Sequence, residues 1–554
     1  MKNILILFTG CAVAVGTLTL SAQRTPPARP FTVVEATIAD MRTAMEQRRV
    51  TSRQIVTEYL TRIGMYEDKL HAAITVNHEA LKEADERDRE RAAGRVRGPL
   101  HGIPIALKDN ILTTHLPTSG GALAFEGFVP PYEATLTANL RAAGAIILAK
   151  TGMTELANWV TVGMPGNYNA VAGYGMNPYD PRRDPRVGSG DGRPVLSPGG
   201  SSSGIGTSAN FWAANVGSET SGSILTPANA TMLVGVKPTV GRISRYGVIP
   251  ITADQDTAGP MAKTVMDAAI MLGVLESAAP DPNDPATSTC PPPPGRDYTR
   301  LLKLDGLKGA RIGIPRTNYY SRLGTEQARL IADALETLAR HGAVIVDPAE
   351  VPSVADPDPK TNFASWSTCS GAQSRGKDEN CSVVLKYGMK RDFNKWLASL
   401  GPTAPVKTLA ELIAWNAAHK DAGAIKYGQT LLEISDEMDV ERDRARYESD
   451  RAKDIALSAT RGIDEVMKGK QLDALLFPAS SGAALGAKAG YPSVIVPLGL
   501  IPANAASYPP GFNPKPQPYG LTFTGMKCSE PKLLELAYAF EQTTKRRVPP
   551  PSAP

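Results

Sequence analysis

The chain has 554 residues and a formal net charge of +5, from 60 basic and 55 acidic residues. The two signs interleave, as in EADERDRERAAGRVRG, which reads as a solvated helical face and excludes the basic footprint of a nucleic-acid binder. Length alone suggests about three or four domains, and the 50 glycines and 46 prolines call for many ordered loops.

The N-terminal MKNILILFTGCAVAVGTLTLSAQ has one charge at Lys2, an apolar run from Ile4 to Leu20, and small residues at Ser21 and Ala22. This is the pattern of a secretory signal over 1–22, with an uncleaved N-terminal anchor as the alternative. Cys11 fits a lipoprotein cysteine poorly, because the apolar run continues past it. No other stretch is long and apolar enough to span a bilayer, so the expectation is an exported protein, periplasmic or extracellular, without stable membrane insertion. Residues 23–32 read as a Pro-rich leader, 33–548 as the folded domain, and 549–554 as a disordered tail.

Thr51 and Gln54 match a capping box, and Ile55, Val56, Tyr59, Leu60 and Ile63 follow at helical spacing. A charged helix is predicted over about Asn77–Arg95. Short apolar runs then alternate with helical stretches: 103–107, 145–149, 233–236, 312–314, 344–346, 474–477 and 493–496. They predict buried strands of an α/β sheet, although run length alone also allows buried helix segments. Residues 177–200 and 278–295 carry too much Gly and Pro for regular structure. Each is either a domain linker or a long loop of one large domain.

Cys290, Cys369, Cys381 and Cys528 remain after signal removal, and an oxidising compartment permits pairing. Cys369 and Cys381 lie close together in a polar loop, so a disulfide is expected there, with independent thiols as the alternative.

The six histidines form no close ligand pair, and Cys-x-x-Cys is absent, so neither metal nor cofactor is expected. G-x-S-x-G and the phosphate-binding G-x-x-x-x-G-K-[ST] are absent too. What stands out is serine and glycine: PGGSSSG at 198–204 and GSETSGSI at 217–224, bracketing a helix-compatible segment, TSANFWAANV. The bland reading of the first is a flexible linker. The chemical reading is a serine nucleophile, which needs a base. With histidine unsupported, lysine is the next choice, and it serves only when burial keeps it neutral. Lys108 closes the apolar run IPIAL.

These segments resemble the amidase signature family. The likeness runs through LHGIPIALKDNI (100–111), AGAIILAKTGMTELAN (143–158), PGGSSSG (198–204), GSETSGSILTPA (217–228) and GVKPTVGRISRYGVIP (235–250). It continues through DTAGPMAKTV (256–265), AGYPSVIVPLG (489–499), YGLTFTG (519–525) and LLELAYAFEQTT (533–544). The serine segments look most like the peptide amidase branch.

The resemblance implies one α/β domain with a mixed sheet flanked by helices, and a triad of Lys108 as base, Ser223 as nucleophile and Ser201 as relay on a cis peptide. It places the oxyanion hole at the amides of Thr220, Ser221, Gly222 and Ser223. The activity implied is hydrolysis of linear carboxamides through an acyl-enzyme, on small-molecule or peptide amides. Peptide amides, aryl acylamides and fatty amides are the candidate substrates, and a decayed binding protein is the non-enzymatic alternative. Three features depart from the family. The Ser201–Ser223 spacer is about two residues short, which makes Ser202 the alternative relay. Ser221-Gly222 replaces Gly-Gly, and Glu219 replaces an aspartate. An insertion at 182–197 precedes the serines and either shapes the site entrance or is a surface elaboration.

Overall fold

The computed structural model describes Met1 and residues 31–554, apart from 187, 372, 373 and 377. The signal, the anchor alternative, Cys11 and nearly all of the leader lie outside the described residues. Residues Thr32–Pro554 form one compact unit, so neither Pro-rich stretch is a domain linker. Among the described residues, no helix is long and apolar enough to cross a membrane.

The core is a mixed sheet of eleven strands. In chain order they are β1 (Ala73–Val76), β2 (Pro104–Lys108), β3 (Ile146–Thr151), β4 (Ala214–Glu219), β5 (Val234–Lys237) and β6 (Thr257–Ala262). Then follow β7 (Arg311–Gly313), β8 (Val344–Val346), β9 (Ala474–Pro478), β10 (Ser493–Ile501) and β11 (Gln517–Thr524). Across the sheet the order is β1-β3-β2-β4-β6-β5-β10-β11-β9-β7-β8. The β3-β2-β4 and β9-β7-β8 runs are parallel and the centre is antiparallel. All seven predicted apolar runs are strands. β2, β3 and β9 are buried at every residue, which is why they read as continuous apolar runs. β8 lies at the sheet edge, and Val344 there is exposed.

Helices cover the sheet. α1 (Ile38–Glu46) and α2 (Ser52–Leu70) come first, and the predicted capping box at Thr51 and Gln54 starts α2. Ile55, Val56, Tyr59 and Ile63 form its buried face. The charged helix is α3 (Ala80–Ala92), shorter than predicted. The segment TSANFWAANV is not a helix. A four-residue helix, Ile205–Ser208, ends in a turn at Asn210, and the chain enters β4 at Ala214. Across that turn Trp212 packs so closely on Gly206 that a Cβ there would lie 2.1 Å from the indole.

Two further sequence expectations need correction. The tail at 549–554 is ordered. The Arg62 guanidinium donates to the carbonyls of Ala553 and Pro554, Ser552 Oγ donates to the Pro178 carbonyl, and Ala553 is buried. Proline-rich composition predicts no regular structure, but it does not prevent docking on a buried cation. In addition, the cis peptide bond among the described residues is Asp347–Pro348, and the bond preceding Ser201 is trans. A non-proline cis bond costs about 3 kcal/mol, and the trans form already brings Ser201 to its partners.

Cys369 pairs with Cys381 as expected, and Cys290 pairs with Cys528 across 238 residues. A crosslink restrains the unfolded chain more when it closes a longer loop. Replacing Cys290 and Cys528 by serine should therefore cost about 2–3 kcal/mol more stability in the chain-entropy view than replacing Cys369 and Cys381, and lower the thermal midpoint further. Thermal unfolding of the two double variants checks the order.

Candidate active site

Lys108 ends β2, and β4 runs parallel beside it with Leu107 in register with Val216. That register carries Ser218 past the end of β2, to the lysine amine. Lys108 Nζ lies 2.9 Å from Ser218 Oγ, 3.1 Å from the Ser218 carbonyl oxygen and 3.4 Å from Ser201 Oγ. Ser201 Oγ is 2.8 Å from Ser223 Oγ. The three groups named by the sequence thus form a continuous chain from amine to outer hydroxyl. Exposure orders them, from 0 % at Lys108 and 1 % at Ser201 to 8 % at Ser223, so Ser223 is the most accessible of the three.

The geometry separates Ser201 from Ser202. Ser202 Oγ turns away and donates to the Ser218 carbonyl, while accepting from the Ser218 amide. Its own amide donates to the Ser223 carbonyl, locking the two serine loops together. Despite the short spacer, Ser201 reaches Ser223.

Lys108 is fully buried, and loss of solvation pushes its pKa down to about 7, against the opposing pull of the Asp256 and Glu219 carboxylates. Among the described residues, no ion pair holds it. A neutral amine has two N–H donors and one lone pair. With both donors given to Ser218, the lone pair is left facing Ser201. Asn110 Nδ2 donates to Ser218 Oγ at 3.0 Å and fixes that hydroxyl.

The outer loop is built on one glycine. Gly222 has φ +84°, a left-handed conformation that favours glycine, whereas Ser221 does not and points its side chain to solvent. Of the family's two glycines, only the second is demanded by the backbone. Glu219 Oε2 accepts from the amides of Ile224 (2.7 Å) and Leu225 (3.0 Å), capping the helix Leu225–Ala230. Among the described residues, the amides of Thr220, Ser221, Gly222 and Ser223 have no hydrogen-bond partner. Such a cluster of free N–H groups beside a hydroxyl can hold a developing oxyanion.

A cleft of about 710 Å³ runs beside this loop, floored by Gly199, Gly200 and Thr226. One wall is the insertion, which folds as a short hairpin with Arg183 bridged to Pro194. Arg186, Val195, Leu196 and Ser197 contribute to the lining. The facing wall comes from 503–518, and the two interlock. Arg182 stacks on Phe512 at 4.1 Å, and Arg186 on Tyr508 at 4.7 Å. The insertion therefore shapes the cleft.

Residues 54–534 match the model of the family described as Amidase. The chain belongs to the amidase family. It is 33% identical to a probable amidase of Arabidopsis thaliana over 556 residues, covering 99% of this chain and 96% of that one. It is 30% identical to an amidase family protein of Bacillus anthracis whose crystal structure superposes with a TM-score of 0.79, covering 94% of this chain and 92% of that one. The native peptide amidase of Stenotrophomonas maltophilia also superposes with a TM-score of 0.79, at 38% identity, covering 94% of this chain and 99% of that one. The protein is thus an amidase-type hydrolase acting on carbon–nitrogen bonds, with the α/β fold that its motifs implied.

Sequence reasoning missed Ser218, Asn110 and Asp256 in this amidase. Asn110, Ser218 and Asp256 all stand inside quoted motifs, so the motifs carried the signal but not the role. Asp256 accepts from Thr220 Oγ1, and burial pushes its pKa up to about 7. Its contact with the serine loop depends on the β4–β6 pairing, which no local pattern discloses.

Only unprotonated Lys108 can accept a proton. The rate at which a fluorophosphonate modifies Ser223 in this amidase should therefore rise with pH and level off above about 7. A profile flat from about pH 5 to pH 9 would contradict the role of the lysine.

Proposed function

We propose that this protein is an exported amidase that hydrolyses linear carboxamides, with C-terminal peptide amides as its substrate class, through an acyl-enzyme on Ser223. The observation that carries the reading is the unbroken path from Lys108 through Ser201 to Ser223, beside four unpartnered amides.

In the forward step Ser223 Oγ bonds to the amide carbon. Its proton passes to Ser201, whose own proton passes to Lys108. The carbonyl π electrons move onto oxygen, where the 220–223 amides hold the charge. As the tetrahedral species collapses, the carbon–nitrogen bond breaks and the relay returns the proton to the leaving nitrogen, releasing ammonia or an amine. Water then enters by the same relay, releases the carboxylic acid and restores Ser223. Neither metal nor cofactor has a part in this scheme.

Two observations support the finer parts. The likeness to a peptide amidase and a cleft of about 710 Å³ beside the serine loop favour an extended acyl chain. The leader sequence, together with pairing of all four cysteines that would follow signal removal, favours export to an oxidising compartment. That location argues against amidation of glutamyl-tRNA, which depends on cytosolic tRNA.

A fluorophosphonate probe should label Ser223. Lys108→Ala and Ser201→Ala should each slow acylation by about 10²–10⁴-fold, the range of proton-transfer catalysis. Full activity in either variant would end this reading, and an unlabelled wild type would point to a decayed binding protein. A panel of dipeptide amides, acyl anilides and fatty amides, scored for ammonia against larger amines, identifies the substrate class. If the interlocked walls hold the acyl chain, Tyr508→Ala should raise KM for dipeptide amides by about 10-fold and leave benzamide turnover unchanged. Equal effects on both would remove the cleft from substrate binding.

A further inference from the structure

Gln255 and Asp256 lie in the loop before β6, and their neighbour Thr220 lies just beyond β4. The two strands are antiparallel, with Glu219 opposite Thr257, so the loops at their ends face each other. Both side chains reach across to Thr220. Gln255 Nε2 donates to the Thr220 carbonyl at 3.1 Å, and Thr220 Oγ1 donates to Asp256 Oδ1. The other Asp256 oxygen accepts from the amides of Ile251 and Thr252, each at 2.9 Å. The Gln255 and Asp256 amides also donate to the Thr252 carbonyl. Thr220 is thus held at its hydroxyl and at its carbonyl by a loop tied to itself.

The carbonyl contact bears on the chemistry. The Thr220–Ser221 peptide is planar and trans, so its N–H points opposite to its C=O. Pinning the Thr220 carbonyl against Gln255 fixes the direction of the Ser221 N–H, one of the four unpartnered amides. Gln255 is costly in its place. It is 1 % exposed, and its Oε1 is buried without a partner. An unsatisfied buried acceptor costs about 1–3 kcal/mol, a penalty that an apolar side chain of the same size would avoid. Stability therefore does not account for glutamine here, while the donor on Thr220 does.

We propose that Gln255, braced by Asp256, is a positioning residue that aims the Ser221 amide at the oxyanion of the reacting carbonyl. It touches neither substrate nor nucleophile. The inference rests on Ser223 being the acylated residue.

The test uses Gln255→Met and Gln255→Leu, which approximately keep the volume, remove the donor and add no charge. Both are compared with wild type on a dipeptide amide and in the rate of fluorophosphonate labelling. In whichever variants fold, kcat and the labelling rate should fall about 10- to 100-fold, short of the full loss of an oxyanion donor. KM should stay within about 2-fold, and the midpoint of the rise in rate with pH should not move. The melting temperature of Q255M should equal or exceed that of wild type. A folded Q255M with wild-type kcat and labelling rate overturns the proposal, as does a loss that appears in KM or follows a fallen melting temperature. A wild-type protein that does not label at Ser223 overturns the underlying reading and this one with it.

Discussion

The site depends on one arrangement: an amine buried at the end of a strand with hydroxyls rather than a carboxylate for company. Three lysines on the sheet are fully buried, and their partners differ. Lys150 on β3 faces Asp109 at 3.2 Å and the Thr118 hydroxyl. Lys237 on β5 faces the carbonyls of Tyr491 and Gly486. Burial lowers the pKa of all three. A carbonyl has no proton to give, and a carboxylate favours the charged amine. Only Lys108 meets a hydroxyl that leads on to a second hydroxyl, so only its neutral form has a proton source in line.

The remaining parts of the site follow from keeping those hydroxyls in line. Ser201 belongs to a Gly-rich loop and Ser223 to the turn after β4, so both need restraint from outside. Asn167 Nδ2 donates to the Gly200 carbonyl at 2.8 Å, and the Ser202 amide ties that loop to Ser223. Gly199, at φ +97°, lies so close to Pro227 that a Cβ would approach its Cα to 2.4 Å. The two loops are therefore packed backbone to backbone, which is why small residues crowd both. Departures from the family pattern survive where they leave this packing alone. Ser221 replaces a glycine where the backbone is not left-handed, and Glu219 still reaches the two amides that it caps.

What the sequence disclosed and what it concealed divide along the same line. Lys108, Ser201 and Ser223 could be singled out because they stand in short motifs, and the structure brings their side chains together; the buried parallel strands were legible because they are uninterrupted apolar runs. β4 (ANVGSE), β6 (TAGPMA) and β11 (QPYGLTFT) were not legible. β4 and β6 are buried mainly through small or polar residues, and β11 alternates Tyr519, Leu521 and Phe523 with glycine and threonine, so none of the three reads as a continuous apolar run. The relay position within Ser201-Ser202-Ser203 was also closed to local reading. It is decided by Ser218, 110 residues from Lys108 in sequence and adjacent only through the β2–β4 register. The tail misled for a related reason: its order comes from Arg62, nearly 500 residues away.

The cleft has a comparable origin. In the sheet order, strands from the first half of the chain lie on one side and those from the second half on the other, meeting where β5 pairs with β10. The serine loops and the insertion hairpin come from the first half, and the facing wall at 503–518 from the second, between β10 and β11. Two contacts across this seam join its walls, Arg182 on Phe512 and Arg186 on Tyr508. The segment after the last helix works on the same seam from below. Arg547 forms a two-point ion pair with Glu35, and Tyr179 and Pro178, at the root of the insertion, bond to residues 548–552. The insertion is thus anchored at its root by the C-terminal segment and, through Arg182 and Arg186, to the opposite wall. A wall fixed on both sides fixes the width of the cleft, which opens against the Gly199–Gly200 end of the serine loop.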